Sequence, residues 1–446
     1  MTRGQFVIPV ASEPAEPNTF FIETWGCQMN DLDSQRLSGS LKLRGYRRVH
    51  DERRASLILL NTCSIREKSE HKVFSRLGAL RALAEGGARV GVCGCVAQQE
   101  GEAILKRAPW VDFVMGPGNV GHLDAILDGE RTVAIDFPED RRYDAMAVDR
   151  PSGTRAQVTI IEGCNKNCTF CIVPTTRGRE VSRSLTDVVS EVSAAVQSGR
   201  VEIELLGQTV NAYRCPASGD DFAMLLRAVA AIDGVARLRF MTSHPAEVDD
   251  AMIEAMRDHQ NISRYLHLPV QSGSSRVLRR MKRLYTREQY LNTLGRIVNA
   301  IPGMLFSTDF IVGFPGETEE DFQQTLSLME EVDYGSIYAF KYSPRPGTPA
   351  LRLGEPIDDE VASERLNRLF DIHERAKRRR LESYRGQVLP ILVEGLSRND
   401  PSMLSGRTDD NWVVNFTGNL ATPPGSMLGV RIESAQHHTL RGEVVA

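Results

Sequence analysis

The sequence predicts an α/β protein in three parts: a small parallel α/β domain, an open barrel of six strand–helix units, and a small OB-like β-barrel. Three observations predict it. Between Thr19 and about Val133, short apolar runs alternate with longer amphipathic stretches; from about Gln157 the alternation restarts and repeats six times; after Arg385 it gives way to short strands punctuated by Gly, Pro, Asn and Asp.

In the first part, FFIET, LILLN, RVGVC and VDFVM have strand length, and REKSEHKVFSRLGALRALAEGG is the clearest intervening helix. Continuous apolar runs of this kind suit a parallel sheet covered on both faces. The expected boundaries are a disordered leader at 1–17, the first domain at 18–135 and a polar, Pro-bounded linker at 136–152. The second part, 153–382, carries strands near VTIIE, VEIELLG, RLRFMTS, RYLHLP, LFSTDFIVGF and SIYAFKYS. Six strand–helix units make an incomplete version of the eight-unit barrel, open on one side, with its chemistry at the C-terminal ends of the strands. Those ends read GCNKNC, GQTVNAY, SHP, HLPVQSGS, GFPGET and YSPRPGT, the most Gly-, Pro- and polar-rich segments of the region. A charged helix from Glu360 to Glu382 closes this part. The third, 383–446, with strands QVLPILVEG, NWVVNF, SMLGVRIES and TLRGEVV, is expected to be a five-stranded appended barrel.

Composition excludes little. The chain has 446 residues, 41% hydrophobic and 25% charged, with a formal net charge of -4, so any nucleic-acid surface must be local. The N-terminal apolar stretch is broken by Pro9 and fails as a signal peptide, and no uninterrupted apolar run reaches the roughly 18 residues of a membrane span. A cytoplasmic protein without a membrane partner is expected. In that reducing setting its eight cysteines are more readily ligands or buried apolar groups than disulfides.

Cys164, Cys168 and Cys171 follow the strand VTIIE on one short loop. Three thiolates there suit a cubane iron–sulfur cluster, leaving a fourth iron open, whereas a zinc site would want a fourth Cys or His nearby. This spacing, with Phe170 before the last Cys, resembles the radical S-adenosylmethionine (SAM) superfamily, in which the open iron chelates SAM. Cys27, Cys63 and Cys95 each lie just past the C-terminal end of a strand, and in a parallel sheet those ends share one edge. A second cluster there is expected. Cys93, two residues before Cys95, is the competing ligand and reads as buried within the strand. Cys215 reads as incidental, and His244 and His267 carry no assignment.

TWGCQMN, LNTCSIRE, GCVAQQEG, EGCNKNCTFCIVPTTRGRE, LGQTVNAY, LHLPVQSGS, TDFIVGFPGET, YSPRPGTPA and GRTDDNWVVNF together resemble the methylthiotransferase family of radical SAM enzymes, with its N-terminal domain, radical SAM core and C-terminal TRAM domain. Trp25, Gln28-Met29-Asn30 and HLPVQSGS resemble the branch acting on N6-dimethylallyladenosine of tRNA. The resemblance implies two [4Fe-4S] clusters, an auxiliary one on Cys27, Cys63 and Cys95 and a catalytic one on Cys164, Cys168 and Cys171. It implies SAM as both radical source and methyl donor, since adenine C2 offers neither an acidic proton nor a leaving group for side-chain catalysis. It further implies position 37 in the anticodon stem-loop as the target, a flavodoxin- or ferredoxin-like electron donor, and a monomer. Phe170, Gly207, Gln208, Ser243 and Gln271 are the expected SAM contacts. Arg280, Lys282 and Arg283 are expected substrate contacts because Arg276–Arg287 carries six basic residues and no acid, and Arg177 and Arg345 because a guanidinium can hold carboxylate or phosphate bidentately. Lys377–Arg380 is a second basic run, and Trp412 and Phe416 are candidate base-stacking residues. From Tyr384 onward, however, five Arg face six acidic residues, which keeps a ribosomal-protein aspartate open as the substrate. Threonylcarbamoyladenosine in tRNA is a further alternative, and an iron–sulfur RNA-binding or redox-sensing protein is the alternative of another class.

Overall fold

A computed structural model describes residues 16–64, 69–129, 133–139, 146–354 and 356–445. The chain forms two compact units: one extends to Pro151 and takes in Thr175–Gly178, and the other comprises Ser152–Pro174 and everything from Arg179.

In chain order the first unit runs β1 (Glu16–Thr24), α1 (Gln28–Leu43), β2 (Arg47–Arg48), β3 (Ala55–Thr62), α2 (Ser69–Glu85), β4 (Arg89–Gly94), α3 (Cys95–Glu100), α4 (Glu102–Arg107), β5 (Phe113–Met115), α5 (Leu123–Asp128) and β6 (Val133–Ala134). All six strands are parallel, in the order β2-β1-β3-β4-β5-β6. Helices cover both faces, so Ile58, Leu60, Val90 and Val92 pack in one core while Phe20, Leu57, Leu59 and Phe113 pack in another. That double burial explains why LILL and RVGV are continuous rather than alternating. The two-residue edge strands β2 and β6 have no apolar run to announce them. β1 begins inside the expected leader, where Glu16 pairs with Arg54 and Arg47. Residues 1–15 of that leader and 140–145 of the expected linker lie outside the described residues. Of the rest of the linker, Asp149 accepts bonds from Ser38 and from Lys42 at 2.7 Å.

The second unit contains β7 (Arg155–Thr159), β8 (Ile161–Glu162), α6 (Val173–Arg177, whose last turn belongs to the first unit), β9 (Val181–Ser182), α7 (Leu185–Gln197), β10 (Glu202–Leu206), α8 (Phe222–Ala230), β11 (Arg237–Phe240), α9 (Asp250–Asp258), β12 (Tyr265–His267), α10 (Ser275–Arg280), α11 (Arg287–Ala300), β13 (Leu305–Val312), α12 (Glu319–Val332), β14 (Ser336–Lys341) and α13 (Asp359–Ser383). The six expected strands are present as two parallel three-stranded sheets, β7-β10-β11 and β12-β13-β14, joined by a parallel bridge between Leu238 and Ile262. Among the described residues nothing pairs β14 with β7, so the barrel is open there. Several quoted motifs brace this scaffold. Glu317 of GFPGET accepts the Gly313 amide and binds Arg365 of α13, both at 2.7 Å, and Ser274 of QSGS donates to Asp321 of α12 at 2.6 Å.

The C-terminal strands β15 (Val388–Leu396), β16 (Leu404–Arg407), β17 (Val413–Thr417), β18 (Met427–Ala435) and β19 (Thr439–Val444) close into a barrel in the order β15-β16-β17-β19-β18. It is not merely appended. Arg239 and Arg237, at the start of β11, donate to the carbonyls of Thr408 and Arg407, and Ser263 donates to that of Asp409. The turn after β16 therefore lies at the N-terminal ends of the barrel strands, opposite the catalytic ends. Beneath it, Glu202 is buried among Arg155 (3.0 Å), Arg239 (3.2 Å) and Arg237 (3.6 Å). Burial pushes its carboxyl up, but the three guanidinium groups outweigh that and hold it below the usual range. Among the described residues no helix is long and apolar enough to cross a membrane.

Candidate functional site

In the first unit, three thiols come from three strand ends. Cys27 is the N-cap of α1, Cys63 follows β3 directly, and Cys95 opens α3 after β4. Gly26 makes the approach possible: at φ +135°, a Cβ on it would lie 2.5 Å from the Cys63 Cβ. Cys27 and Cys63 are hydrogen-bonded, and that bond, with Arg177 and the amides of Asn30 and Met29, draws the Cys27 thiol down to about 6 despite burial. Burial raises the Cys95 thiol, opposed by Arg177, which hydrogen-bonds it. Cys93 goes elsewhere. Its side chain packs with Phe20, Leu57 and Met115, and burial pushes its thiol up to about 12; Gly94, at φ +88°, then redirects the chain so that Cys95 emerges at the edge.

Arg177 is the organising cation of this edge. It is 2% exposed and donates to Asp33 at 2.7 Å and to Asn30 Oδ1 at 3.1 Å. Asn30 also donates to the carbonyls of Trp25 and Thr62, tying the Cys27 and Cys63 loops together. Asn30 and Asp33 lie three residues apart on α1, a spacing that places them on one helix face just after the Cys27 cap. That spacing in QMNDLDS was the available signal for both.

In the second unit, Cys164, Cys168 and Cys171 lie on the loop after β8. The Cys164 sulfur is met by the Lys166 amide at 3.4 Å and by Thr209 Oγ1 at 3.5 Å. Burial raises the Cys171 thiol to about 12. Gln208 braces the loop by accepting the Gly163 amide at 2.6 Å. Arg283 is buried and donates to Cys168 Sγ at 3.4 Å, to the Pro269 carbonyl and to the Tyr285 hydroxyl. No carboxylate binds it among the described residues, and the Cys168 sulfur is one of its three hydrogen-bond acceptors.

The other expected contacts gather on these strand ends. Phe170 packs half-buried against Val277, Met281 and Phe314. Gly207 follows β10, where a Cβ would meet the Ile161 carbonyl oxygen at 2.8 Å. Gln271 turns the chain after β12 at φ +79°, and Thr242 does so after β11 at φ +67°, a costly conformation for a β-branched residue. Next to Thr242 lies the best sign of a ligand: the buried Ser243 Oγ and His244 Nε2 have no partner among the described residues. Burial and the nearby Arg283 and Lys166 hold His244 neutral, with its pKa down at about 2, so Nε2 is an acceptor when Nδ1 is protonated and a donor otherwise. Nδ1 accepts the Ala246 amide, which makes Nε2 the donor. Buried polar atoms are rarely left unsatisfied, and these two fit the polar end of a bound nucleotide-like cofactor. His267 is satisfied internally by Ser307 at 2.9 Å and Asp309 at 3.3 Å.

The expected phosphate contacts divide. Arg280 donates to the carbonyls of Pro315 and Leu353, and Arg283 points inward to Cys168, because the turn they share packs against the cysteine loop through Thr169. Neither is disposed toward a backbone phosphate. Lys282 is exposed. Arg345 is buried, with its carbonyl accepting from Thr348. Of the second basic run, Lys377 is buried on Glu374 and His438, and Arg380 pairs with Asp333. Phe416 lies wholly in the C-terminal barrel core and cannot stack on a base; Trp412 is half-buried. Cys215 is buried in the core of the second unit.

Both triads fit iron–sulfur clusters by their donor chemistry: three thiols each, with amide or guanidinium donors aimed at sulfur. Among the described residues no three His, Cys, Asp or Glu side chains gather tightly enough for a single metal ion.

Comparison with known proteins gives a consistent result. Residues 19–116 match the family described as uncharacterized protein family UPF0004, 158–329 the radical SAM superfamily and 382–445 the TRAM domain. The chain is similar to the tRNA-2-methylthio-N(6)-dimethylallyladenosine synthase of Alkalilimnicola ehrlichii, with 48% identity over 435 residues covering 95% of this chain and 97% of that protein. It is also similar to the synthase of that name from Clostridium tetani, with 44% identity covering 99% and 100%. Among solved structures, the radical SAM methyltransferase TsrM of Kitasatospora setae shares the fold, with a TM-score of 0.54 at 16% identity over 75% of this chain and 77% of that one.

Proposed function

This chain belongs to the tRNA-2-methylthio-N6-dimethylallyladenosine synthase family of radical SAM enzymes, and we propose that its six strand-end cysteines divide the work of that reaction between two clusters. The enzyme methylthiolates dimethylallyladenosine in tRNA, using SAM and [4Fe-4S] clusters. Position 37 of the anticodon loop is the proposed target, and that substrate supports a cytoplasmic setting. When bound, the clusters and SAM supply the low-potential electron, the radical that removes hydrogen from adenine C2, the sulfur and the methyl group.

The chain's own residues hold and tune these groups. Cys164, Cys168 and Cys171 are the ligands of the SAM-binding cluster, and Arg283 offsets negative charge at Cys168. Ser243 and His244 would offer donors to SAM, while Gly207, packed tightly on Ile161, and Phe170, packed on Val277 and Met281, shape the strand ends around them. Cys27, Cys63 and Cys95 hold the auxiliary cluster, with Arg177 fixed beside them by Asp33. The observation that carries this reading is the pair of buried atoms without a partner among the described residues, Ser243 Oγ and His244 Nε2, in the unit that bears the Cys164 triad.

The test is anaerobic incubation of reconstituted enzyme with SAM, reductant and tRNA bearing the prenylated adenosine, followed by mass spectrometry of the nucleosides. A methylthio group gained on that nucleoside is expected. Gain only on threonylcarbamoyladenosine, or only on a ribosomal-protein aspartate, would reassign the substrate. Failure to release 5′-deoxyadenosine would remove the radical chemistry altogether.

A further inference from the structure

The reaction needs an electron delivered to the Cys164 triad, and one surface lies directly over that loop. A groove of about 660 Å³ is lined by Asn165, Lys166 and Asn167 of the cysteine loop on one side and by Arg279, Lys282 and Leu284 on the other. Its lining carries three cations and no acid, but three carboxylates bind lining residues from outside: Glu247 pairs with Lys166, Glu180 accepts the Asn165 amide and Glu288 accepts from Ser275. Arg279 and Lys282 are exposed and have no acidic partner among the described residues. Leu284 is 73% exposed.

The backbone shows that this face is held outward. Lys282 (φ +56°) and Leu284 (φ +59°) both occupy the left-handed region that side chains other than Gly, Asn and Asp enter uncommonly. Between them Arg283 turns inward to Cys168 Sγ. The strained turn thus places a cation and an apolar side chain on the surface and a guanidinium on the cluster ligand, all within three consecutive residues. Thr169, next to Cys168, locks the same turn through the Met281 and Arg280 carbonyls.

We propose that this groove docks an acidic one-electron carrier protein, a flavodoxin or a ferredoxin, and is the point of electron entry to the Cys164, Cys168 and Cys171 site. The assignment rests on the reading of that triad as a reducible cluster. An acidic carrier complements the two cations without an acidic partner, Arg279 and Lys282, the exposed Leu284 beside them supplies the apolar contact common in interface cores, and the path inward is one residue long. In the step itself, one electron leaves the reduced carrier and one arrives at the iron–sulfur site; no atom is transferred.

The test follows anaerobic reduction of the reconstituted holoenzyme by stopped-flow absorbance, without tRNA, using flavodoxin hydroquinone or dithionite. For the wild type, the flavodoxin-driven rate at low carrier concentration should fall steeply as ionic strength rises. Arg279→Glu combined with Leu284→Asn should slow that rate about tenfold or more, leaving the dithionite-driven rate within about twofold. Asn is chosen because it tolerates positive φ. Should the double variant lose iron, Arg279→Gln and the wild-type salt dependence remain as independent readouts. An unchanged flavodoxin rate in the variants, or a salt-independent wild-type rate, would overturn the proposal. So would weakened binding of a prenylated anticodon stem-loop with carrier reduction intact, which would make the groove an RNA surface. If dithionite reduces no cluster in the wild type, the reading of the triad itself is wrong.

Discussion

The two cysteine sites solve one problem with opposite architectures. In the second unit the three proposed ligands share a loop of eight residues, 164–171, and the local cation, Arg283, has no carboxylate partner among the described residues. In the first unit the ligands are gathered from positions 27, 63 and 95, and the cation, Arg177, is already paired with Asp33 at 2.7 Å. A contiguous loop can shape itself around a cluster as the cluster forms. Ligands on three strand ends depend on the sheet, and the Arg177–Asp33–Asn30 linkage, together with the Asn30 bonds to both loops, holds that edge ready. The charge consequence differs as well. Arg283 becomes balanced when thiolates or a reduced cluster appear beside it, whereas the charge of Arg177 is largely balanced beforehand.

The largest effects should come from breaking the ligand sets. Cys95→Ala should reduce iron from about eight to about four atoms per chain and abolish methylthiolation, while 5′-deoxyadenosine release persists. Cys93→Ala should keep both clusters and cost about 1 kcal/mol or more through the lost packing. Iron analysis with Mössbauer spectroscopy checks both, and iron loss in Cys93→Ala with retention in Cys95→Ala would reverse the ligand assignment.

The cations sharpen the contrast next. Arg283→Met removes a positive charge and a sulfur hydrogen bond, so the SAM-site cluster should become harder to reduce, its midpoint falling on the order of 60 mV, a tenfold change for one electron. Asp33→Asn should leave the potential of that cluster in place but strand the Arg177 cation, destabilising the first unit by about 3–5 kcal/mol. Potentiometric titration and thermal unfolding separate these outcomes. An Asp33→Asn protein as stable as wild type would mean that Arg177 is not held by its carboxylate.

Much of this was legible in the sequence because each feature left a local mark. Strands β7, β10, β11, β12, β13 and β14 are apolar runs ending in Gly-, Pro- or polar-rich turns, and the Cys164 spacing is self-contained. What was illegible depended on tertiary direction. Basic density in Arg276–Arg287 suggested a phosphate surface, yet Arg280 and Arg283 turn inward because two left-handed residues flank Arg283. Similarly, Phe416 has the composition of a stacking residue but the register of a core residue, opposite Leu404 in the closed barrel. β16 is only Leu404–Arg407, with Gly406 in its centre, too short and glycine-broken to read as a strand. The preference for Cys95 over Cys93 came from the family resemblance and from reading Cys93 as buried in the strand; the turn at Gly94 that separates the two thiols was not read.

The smallest expected effect tests the C-terminal barrel's part in the second unit. Asp409 accepts the Arg264 amide at 2.9 Å and lies 3.6 Å from Arg237, while its carbonyl accepts Ser263 Oγ. Asp409→Ala removes the carboxylate but leaves the carbonyl contacts of Arg407, Thr408 and Asp409 in place. The loss should be about 1–2 kcal/mol, the value of a charge-assisted hydrogen bond, and not the larger penalty of a stranded charge, because Glu202 still compensates Arg237. If the barrel were simply tethered, the same change would leave thermal unfolding of the radical SAM core untouched. A lowered midpoint for a single cooperative transition spanning both parts would show that the turn after β16 supports the barrel strands from below, at the ends opposite the cysteine loop.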